Sequence, residues 1–425
     1  MNHWYDRHVC PLVSRITTFL LLAGGLQAYG VLTHEAIIDS AWDHDIKPIL
    51  LQRFPQATPE ELVRAHASAY AGCIIQDMGY YPFGSTFFSD LVHYVRTGDF
   101  VVNLLREAHT LNEFAFALGG LAHYAADTQG HGVATNRAVA IEYPKLAKKF
   151  GPFVTYADDK HAHSKVELSF DVTQIARGHY APQAYHDFIG VQVEKEVLER
   201  AFKDTYSLEL SDVFGSLDLA LATYRRSISV TIPRMTRIAW QLNKDELAKP
   251  RAIRAADRRQ FIYQLSRASY RKEWSDKYRE PGVGSKIGAF FVKILPKIGP
   301  LKALKFHLPK PETEALFETS FTRALERYRE LLADESAGRL APDDRDFDTG
   351  KPTSPTEYRL ADDAYAKLAR ELADLDAAKV DHVLIHHVLD YFRDLTLPYA
   401  TKKAPRDWAR TLQALDKLRA EVRAE

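Results

Sequence analysis

The stretch TLNEFAFALGGLAHYAAD, residues 110–127, is apolar on almost every face of a helix. A surface helix keeps one polar side; this one does not, so the pattern predicts a central, buried helix. Gly119, Gly120 and Ala122 are small enough to let another helix come close. The end of the stretch carries groups that an apolar core does not need. HYAADTQGH, residues 123–131, sets His123, Asp127 and His131 at intervals of four. On a helix they form one stripe that drifts by about 40° per step. His123 and His131 then stand about 12 Å apart along the axis. That is too far for one zinc ion, whose bonds to nitrogen are about 2.0–2.1 Å. Asp127 lies between them, with two oxygens to serve two ions, so the stripe points to a multinuclear site. Gly130 and Gly132 offer an early helix end, which would swing His131 off the stripe.

The same helical periodicity runs through the rest of the chain, and no run of alternating strands is convincing. Helices are predicted over 34–51, 59–77, 98–108, 190–204, 208–228 and 229–243. A charged stretch, KDELAKPRAIRAADRRQ, then leads to a second set near 312–333, 356–374, 377–394 and 405–424. Between them, 336–355 is rich in Asp, Gly and Pro and reads as a loop. The fold class is all-α: a multi-helix bundle with long connections and additional C-terminal helices.

At 425 residues, with 46% apolar and 26% charged residues, the chain has the make-up of an ordinary globular protein. The 56 basic and 56 acidic side chains cancel. That balance does not suggest a nucleic-acid binder, which usually carries a basic excess. The N-terminus has Arg7, His8 and Arg15, then ITTFLLLAGGLQA ending on Ala28. This is the pattern of a signal peptide over residues 1–28, with export to a periplasm or the exterior. A buried first helix is the alternative. The apolar run is short of the roughly 20 residues that span a bilayer. Of the two cysteines, Cys10 would leave with the signal, and Cys73 has no partner for an internal disulfide.

Further metal-ligating types lie in the same half. HSKVE supplies His163 and Glu167 at a spacing of four, which suits chelation from one helix face. GCIIQDMGYYP supplies Asp77, DLVHY supplies His93, and His34 follows the presumed cleavage point closely. Any one of them alone reads more simply as a hydrogen-bonded core or turn residue. As a set in apolar and aromatic surroundings they read as a metal site, because unpaired charge is costly there.

In order and spacing, Tyr29, His34, Asp77, His93, His123, Asp127, His131, His163 and Glu167 resemble the ligand series of the zinc-dependent phospholipase C family. That family shares its fold with the S1/P1-type nucleases. The resemblance covers roughly residues 29–240. It implies a catalytic domain over 29–244, followed by a C-terminal extension over 245–425 of unassigned role. It also implies three zinc ions. Asp77, His93, His123 and Asp127 would hold one; His131, His163 and Glu167 would hold a second. The third would take the amine and carbonyl of Tyr29, His34 and the bridging Asp127. Tyr29 replaces the family's N-terminal Trp, but the ligands there are backbone atoms. His131 follows Asp127 by four residues where bacterial members usually have six, a gap that resembles the glycosylphosphatidylinositol-specific phospholipase D branch.

The implied activity is hydrolysis of a phosphodiester by a zinc-activated water, with Asp77 as general base or water-orienting group. The expected substrate is a phospholipid met at a peripheral membrane surface. Two other readings stay open: a single-strand nuclease, and a non-catalytic zinc-binding interaction protein with the same fold. Nuclease members are usually disulfide-bonded, which this chain cannot be internally. Segment 285–310, apolar with regularly spaced lysines, reads either as a membrane-surface element or as a core-packing helix pair. The stripe His382, His386, Asp390 reads as a polar helix face. DDRDFDTG, residues 343–350, matches a calcium loop only loosely and reads as a solvated loop. No β-sandwich lipid-binding domain is expected.

Overall fold

The computed structural model describes residues 30–181, 183–247 and 307–423. The presumed signal peptide with Cys10, Tyr29, and most of segment 285–310 lie outside the described residues. No strand forms among the described residues, and Arg345 and Pro352 make an isolated β-bridge. None of the described helices is long and apolar enough to cross a membrane.

The chain opens with α1 (Val31–Ala41), a π-helical turn over Trp42–Ile46, and α2 (Lys47–Arg53). Then come α3 (Pro59–Gly72), α4 (Thr86–Tyr94), α5 (Thr97–Arg106) and α6 (Leu111–Gly130). Helix α4 is not predicted from the sequence. Thr110 and Glu113 fasten the first turn of α6 with a reciprocal capping box. From Glu113 to Thr128 every residue of α6 is buried, as its all-round apolarity predicts.

The small residues do what they were expected to do. A Cβ built on Gly72 of α3 would lie 1.9 Å from the Phe116 carbonyl oxygen, and one on Gly119 would lie 2.3 Å from that of Ala69. Backbone meets backbone at this crossing, so no side-chain rotation can make room. Gly119→Val is expected to push α3 and α6 apart and cost about 2–3 kcal/mol, read as a lower urea midpoint.

The predicted helix end at Gly130 is corrected. Gly130 keeps helical angles (φ −62°, ψ −53°), and the chain continues through a π-helical turn, His131–Thr135, into α7 (Asn136–Glu142). Gly132 serves a close approach instead: its Cβ would stand 2.8 Å from the Thr349 carbonyl oxygen. The His131 amide still donates to the Asp127 carbonyl, so His131 stays on the stripe, and the extra residue in the turn shifts the residues that follow it without breaking the helix.

Helices α8 (Pro144–Phe150), α9 (Lys160–Ala176), α10 (Gln183–Ile189), α11 (Lys195–Tyr206), α12 (Leu210–Val213), α13 (Leu217–Arg226) and α14 (Ile232–Leu247) follow. The C-terminal set is α15 (Pro311–Ser336), α16 (Arg359–Asp374), α17 (His382–Tyr391) and α18 (Pro405–Arg423). Helix α15 runs along α6. It buries Phe317, Phe321, Tyr328, Leu331 and Leu332, and the Tyr328 hydroxyl donates to the Leu118 carbonyl at 3.0 Å. Residues from α15 to α18 thus share one hydrophobic core with α1 to α14. On α17, Leu384, Ile385 and Val388 face that core while His386 and Asp390 are exposed.

Candidate metal centre

Six segments converge on one buried polar pocket. Helix α1 brings His34, and the 3₁₀ turn Ile75–Tyr80 brings Asp77. The last turn of α4 brings His93, α6 brings His123 and Asp127, and His131 opens the π-helical turn. Helix α9 brings His163 and Glu167. All eight side chains are at most 2% exposed. Their ligand atoms gather in three groups: His34, His123 and Asp127; Asp77, His93 and His123; and His131, His163 and Glu167. His123 therefore belongs to two groups, where the resemblance implied one. Tyr29 lies outside the described residues, but Gly30, next to it, caps α1 four residues before His34, which closes on Asp127.

The spacing between partners is informative. His34 Nε2 and His123 Nε2 lie 3.3 and 3.1 Å from the two oxygens of Asp127. His93 Nε2 lies 3.3 Å from Asp77 Oδ1 and 3.8 Å from Asp127 Oδ2. His163 Nδ1 and His131 Nε2 lie 3.0 and 3.5 Å from Glu167 Oε1. The hydrogen bonds on the far side of each ring fix what these near atoms are. His123 Nδ1 meets the Cys73 carbonyl at 3.0 Å, and His93 Nδ1 meets the Ser89 carbonyl at 2.8 Å. A carbonyl only accepts, so each Nδ1 carries the proton and each Nε2 presents a lone pair. Asn136 donates through Nδ2 to the Asp348 carbonyl at 2.6 Å, so its Oδ1 accepts from His163 Nε2 at 3.1 Å. His163 Nδ1 is then also a lone pair.

Lone pairs of imidazole thus face lone pairs of carboxylate. His123 Nε2, His163 Nδ1 and both oxygens of Asp77, Asp127 and Glu167 are buried with no hydrogen bond. Such an arrangement repels itself unless a cation sits between the atoms. Two ligands at about 2.0–2.2 Å from a tetrahedral zinc stand roughly 3.3 Å apart. The observed 3.0–3.5 Å matches that figure. These residues fit zinc.

Electrostatics agree. Burial pushes His34 down to about 4, with His123 adding to the effect against Asp127, so the ring stays neutral as a ligand must. Burial opposes ionisation of Asp127, yet His123 and His131 hold its carboxyl well below the usual range. Burial raises Asp77 well above it, opposed by His123 and reinforced by Asp127. Crowded carboxylates of this kind call for positive charge.

Three residues were not found from the sequence. The solvated reading of DDRDFDTG is corrected: Asp346 and Asp348 are 2% and 3% exposed, and Phe347 is fully buried. The Phe347 ring packs against His93 and His123 with centroids 5.1 and 5.8 Å away, and its amide donates to the His93 carbonyl at 3.2 Å. Asp348 Oδ1 lies 3.4 Å from His131 Nδ1. The one apolar residue among the aspartates, Phe347, was the only hint that this loop turns inward. The third is Asp171, four residues after Glu167. It accepts from the Leu32 amide at 3.2 Å and the Thr33 hydroxyl at 2.7 Å, tying the head of the His34 helix to α9. A Cβ on Gly30 would sit 2.3 Å from its Oδ2.

Beside the ligands lies a narrow cleft lined by Asp77, Tyr80, His93, His131, Tyr156, His163 and Asp348. The Tyr156 hydroxyl is buried with no hydrogen-bond partner among the described residues, and burial holds it protonated, well above the ordinary phenol range.

No curated protein and no solved structure matches the chain. A family model does: zinc dependent phospholipase C, over residues 33–216. That span takes in every one of the eight converging side chains, and with their geometry it settles the relationship: this part of the chain belongs to the zinc-dependent phospholipase C family.

Proposed function

We propose that the protein is a zinc-dependent phospholipase C, hydrolysing glycerophospholipids to diacylglycerol and a phosphorylated headgroup. The observation that carries this reading is the facing of imidazole and carboxylate lone pairs at 3.0–3.5 Å in three adjoining groups. Three ions held there would supply Lewis acidity toward phosphoryl oxygens and lower the pKa of water. The surrounding residues have their own tasks. Asp77 lines both a ligand group and the cleft, which supports a role for one of its oxygens in taking a proton from the attacking water. The protonated Tyr156 hydroxyl is placed to donate to a phosphoryl oxygen. The cleft is narrow, and its lining of His, Asp and Tyr side chains is polar. It suits the phosphodiester and leaves the acyl chains outside, at a membrane surface.

The same reading includes export and cleavage after Ala28. A free amine at Tyr29 would then stand near His34 and complete the third group, which otherwise offers His34, His123 and Asp127 alone.

The test is hydrolysis of phosphatidylcholine vesicles and of a chromogenic phosphocholine ester by protein that begins at Tyr29. Chelation is expected to abolish turnover, by more than about 10³-fold (about 4 kcal/mol), and zinc to restore it. Zinc-loaded protein that leaves both substrates intact would overturn the reading. Cleavage of single-stranded nucleic acid instead would move the activity to the nuclease side of the fold family.

A further inference from the structure

Resting on the reading that the three groups hold zinc, we propose that Asp348 is a positioning residue of the metal centre. It orients both histidines of the His131, His163 and Glu167 group and makes the C-terminal helical region a necessary part of that site.

Asp348 lies far beyond residue 216, where the family match ends. It nevertheless reaches the wall of the cleft. Its Oδ1 faces His131 Nδ1 at 3.4 Å, while the opposite nitrogen, Nε2, faces Glu167 at 3.5 Å and Asp127 at 4.0 Å. A carboxylate at Nδ1 selects the tautomer with its proton there and leaves the Nε2 lone pair for the metal. The backbone of the same residue serves the second histidine. The Asp348 carbonyl takes one amide proton of Asn136, which turns the Asn136 oxygen toward His163 Nε2 and leaves His163 Nδ1 for the metal.

The carboxylate is itself held. The Tyr94 hydroxyl donates to Oδ2 at 2.8 Å, and the Tyr358 hydroxyl donates to the same oxygen. The Asp348 amide donates to Asp346 Oδ1 at 2.9 Å. Glycines let the loop come in: a Cβ on Gly350 would lie 2.2 Å from the Thr128 carbonyl oxygen, one on Gly132 2.8 Å from that of Thr349. A loop needed only to cover apolar surface would have no use for a buried carboxylate, which is costly to desolvate. Tyr94, Tyr358 and Asp346 together fix this one at a ligand ring.

The test compares zinc affinities of the full chain with those of Asp348→Asn, Asp348→Glu and Tyr358→Phe, by competition with a chromogenic chelator, alongside spectra of the cobalt-substituted proteins. In Asp348→Asn one ion is expected to be released about 10–100-fold more readily, with the others unchanged and a shifted cobalt band. Asp348→Glu is expected to recover part of the loss, and Tyr358→Phe to show a smaller loss of the same ion. If Asp348→Asn fails to fold, Tyr358→Phe carries the same comparison. Wild-type affinity for every ion, or a weakening spread evenly over all of them, would overturn the proposal while leaving the zinc reading intact. A wild-type chain that takes up no zinc at all would remove that reading, and this proposal with it.

Discussion

Asp127→Asn is expected to lower kcat/KM on a phosphodiester by at least about 10³-fold, or about 4 kcal/mol of transition-state stabilisation. Among the described residues, no other side chain is placed as this one is. Its oxygens lie within 4.0 Å of His34, His93, His123 and His131, so it joins all three groups. Asn keeps the size of the side chain but loses its negative charge and offers a single acceptor oxygen in place of two. The histidines around it would then hold divalent charge with less compensation, and zinc content should fall by at least one ion per chain. The fold has other supports, since α6 is capped at Thr110 and packed along its length. Zinc analysis beside circular dichroism separates the two effects: the expected variant is helical and zinc-poor. A variant with full zinc and near-normal kcat/KM would show that Asp127 bridges nothing.

Deletion of residues 307–425 is expected to abolish folding, although the family match ends at residue 216. On α15 alone, Phe317, Phe321, Tyr328, Leu331 and Leu332 lie at most 2% exposed in the common core. Each such side chain contributes about 1.5–3 kcal/mol on burial. Five of them approach the whole stability of a typical domain, about 5–15 kcal/mol. Their loss would also uncover the apolar flank of α6 that carries His123 and Asp127. The expected result is an insoluble or unfolded product lacking cooperative thermal unfolding. A soluble, helical, zinc-binding truncated chain would show that the C-terminal helices are an appendage.

What could be read in the sequence followed from local periodicity. His123, Asp127 and His131 share one helical stripe, and His163 and Glu167 another, so four-residue spacing alone placed each set on a common face. Gly119 and Ala122 announced a close helix crossing because size at a buried position leaves few other uses. Asp348 escaped because its neighbours Asp343, Asp344 and Arg345 are those of a solvated loop, and nothing local says that the phenols of Tyr94, 254 residues back, and Tyr358, 10 residues on, receive its carboxylate. The path of α6 through His131 was misjudged for a related reason. Gly130 and Gly132 looked like a helix end, whereas Gly132 answers to the Thr349 carbonyl, a contact made across more than two hundred residues of chain. Local chemistry was legible; the reason for a residue lay hidden when its partner came from the C-terminal helices.

The most direct test is zinc analysis of the purified, exported protein, joined to sequencing of its N-terminus. Three ions per chain are predicted, one for each group, with Tyr29 as the first residue. Protein that carries no zinc, and whose stability and phosphodiester hydrolysis survive chelation unchanged, would contradict a zinc centre at His34, Asp77, His93, His123, Asp127, His131, His163 and Glu167.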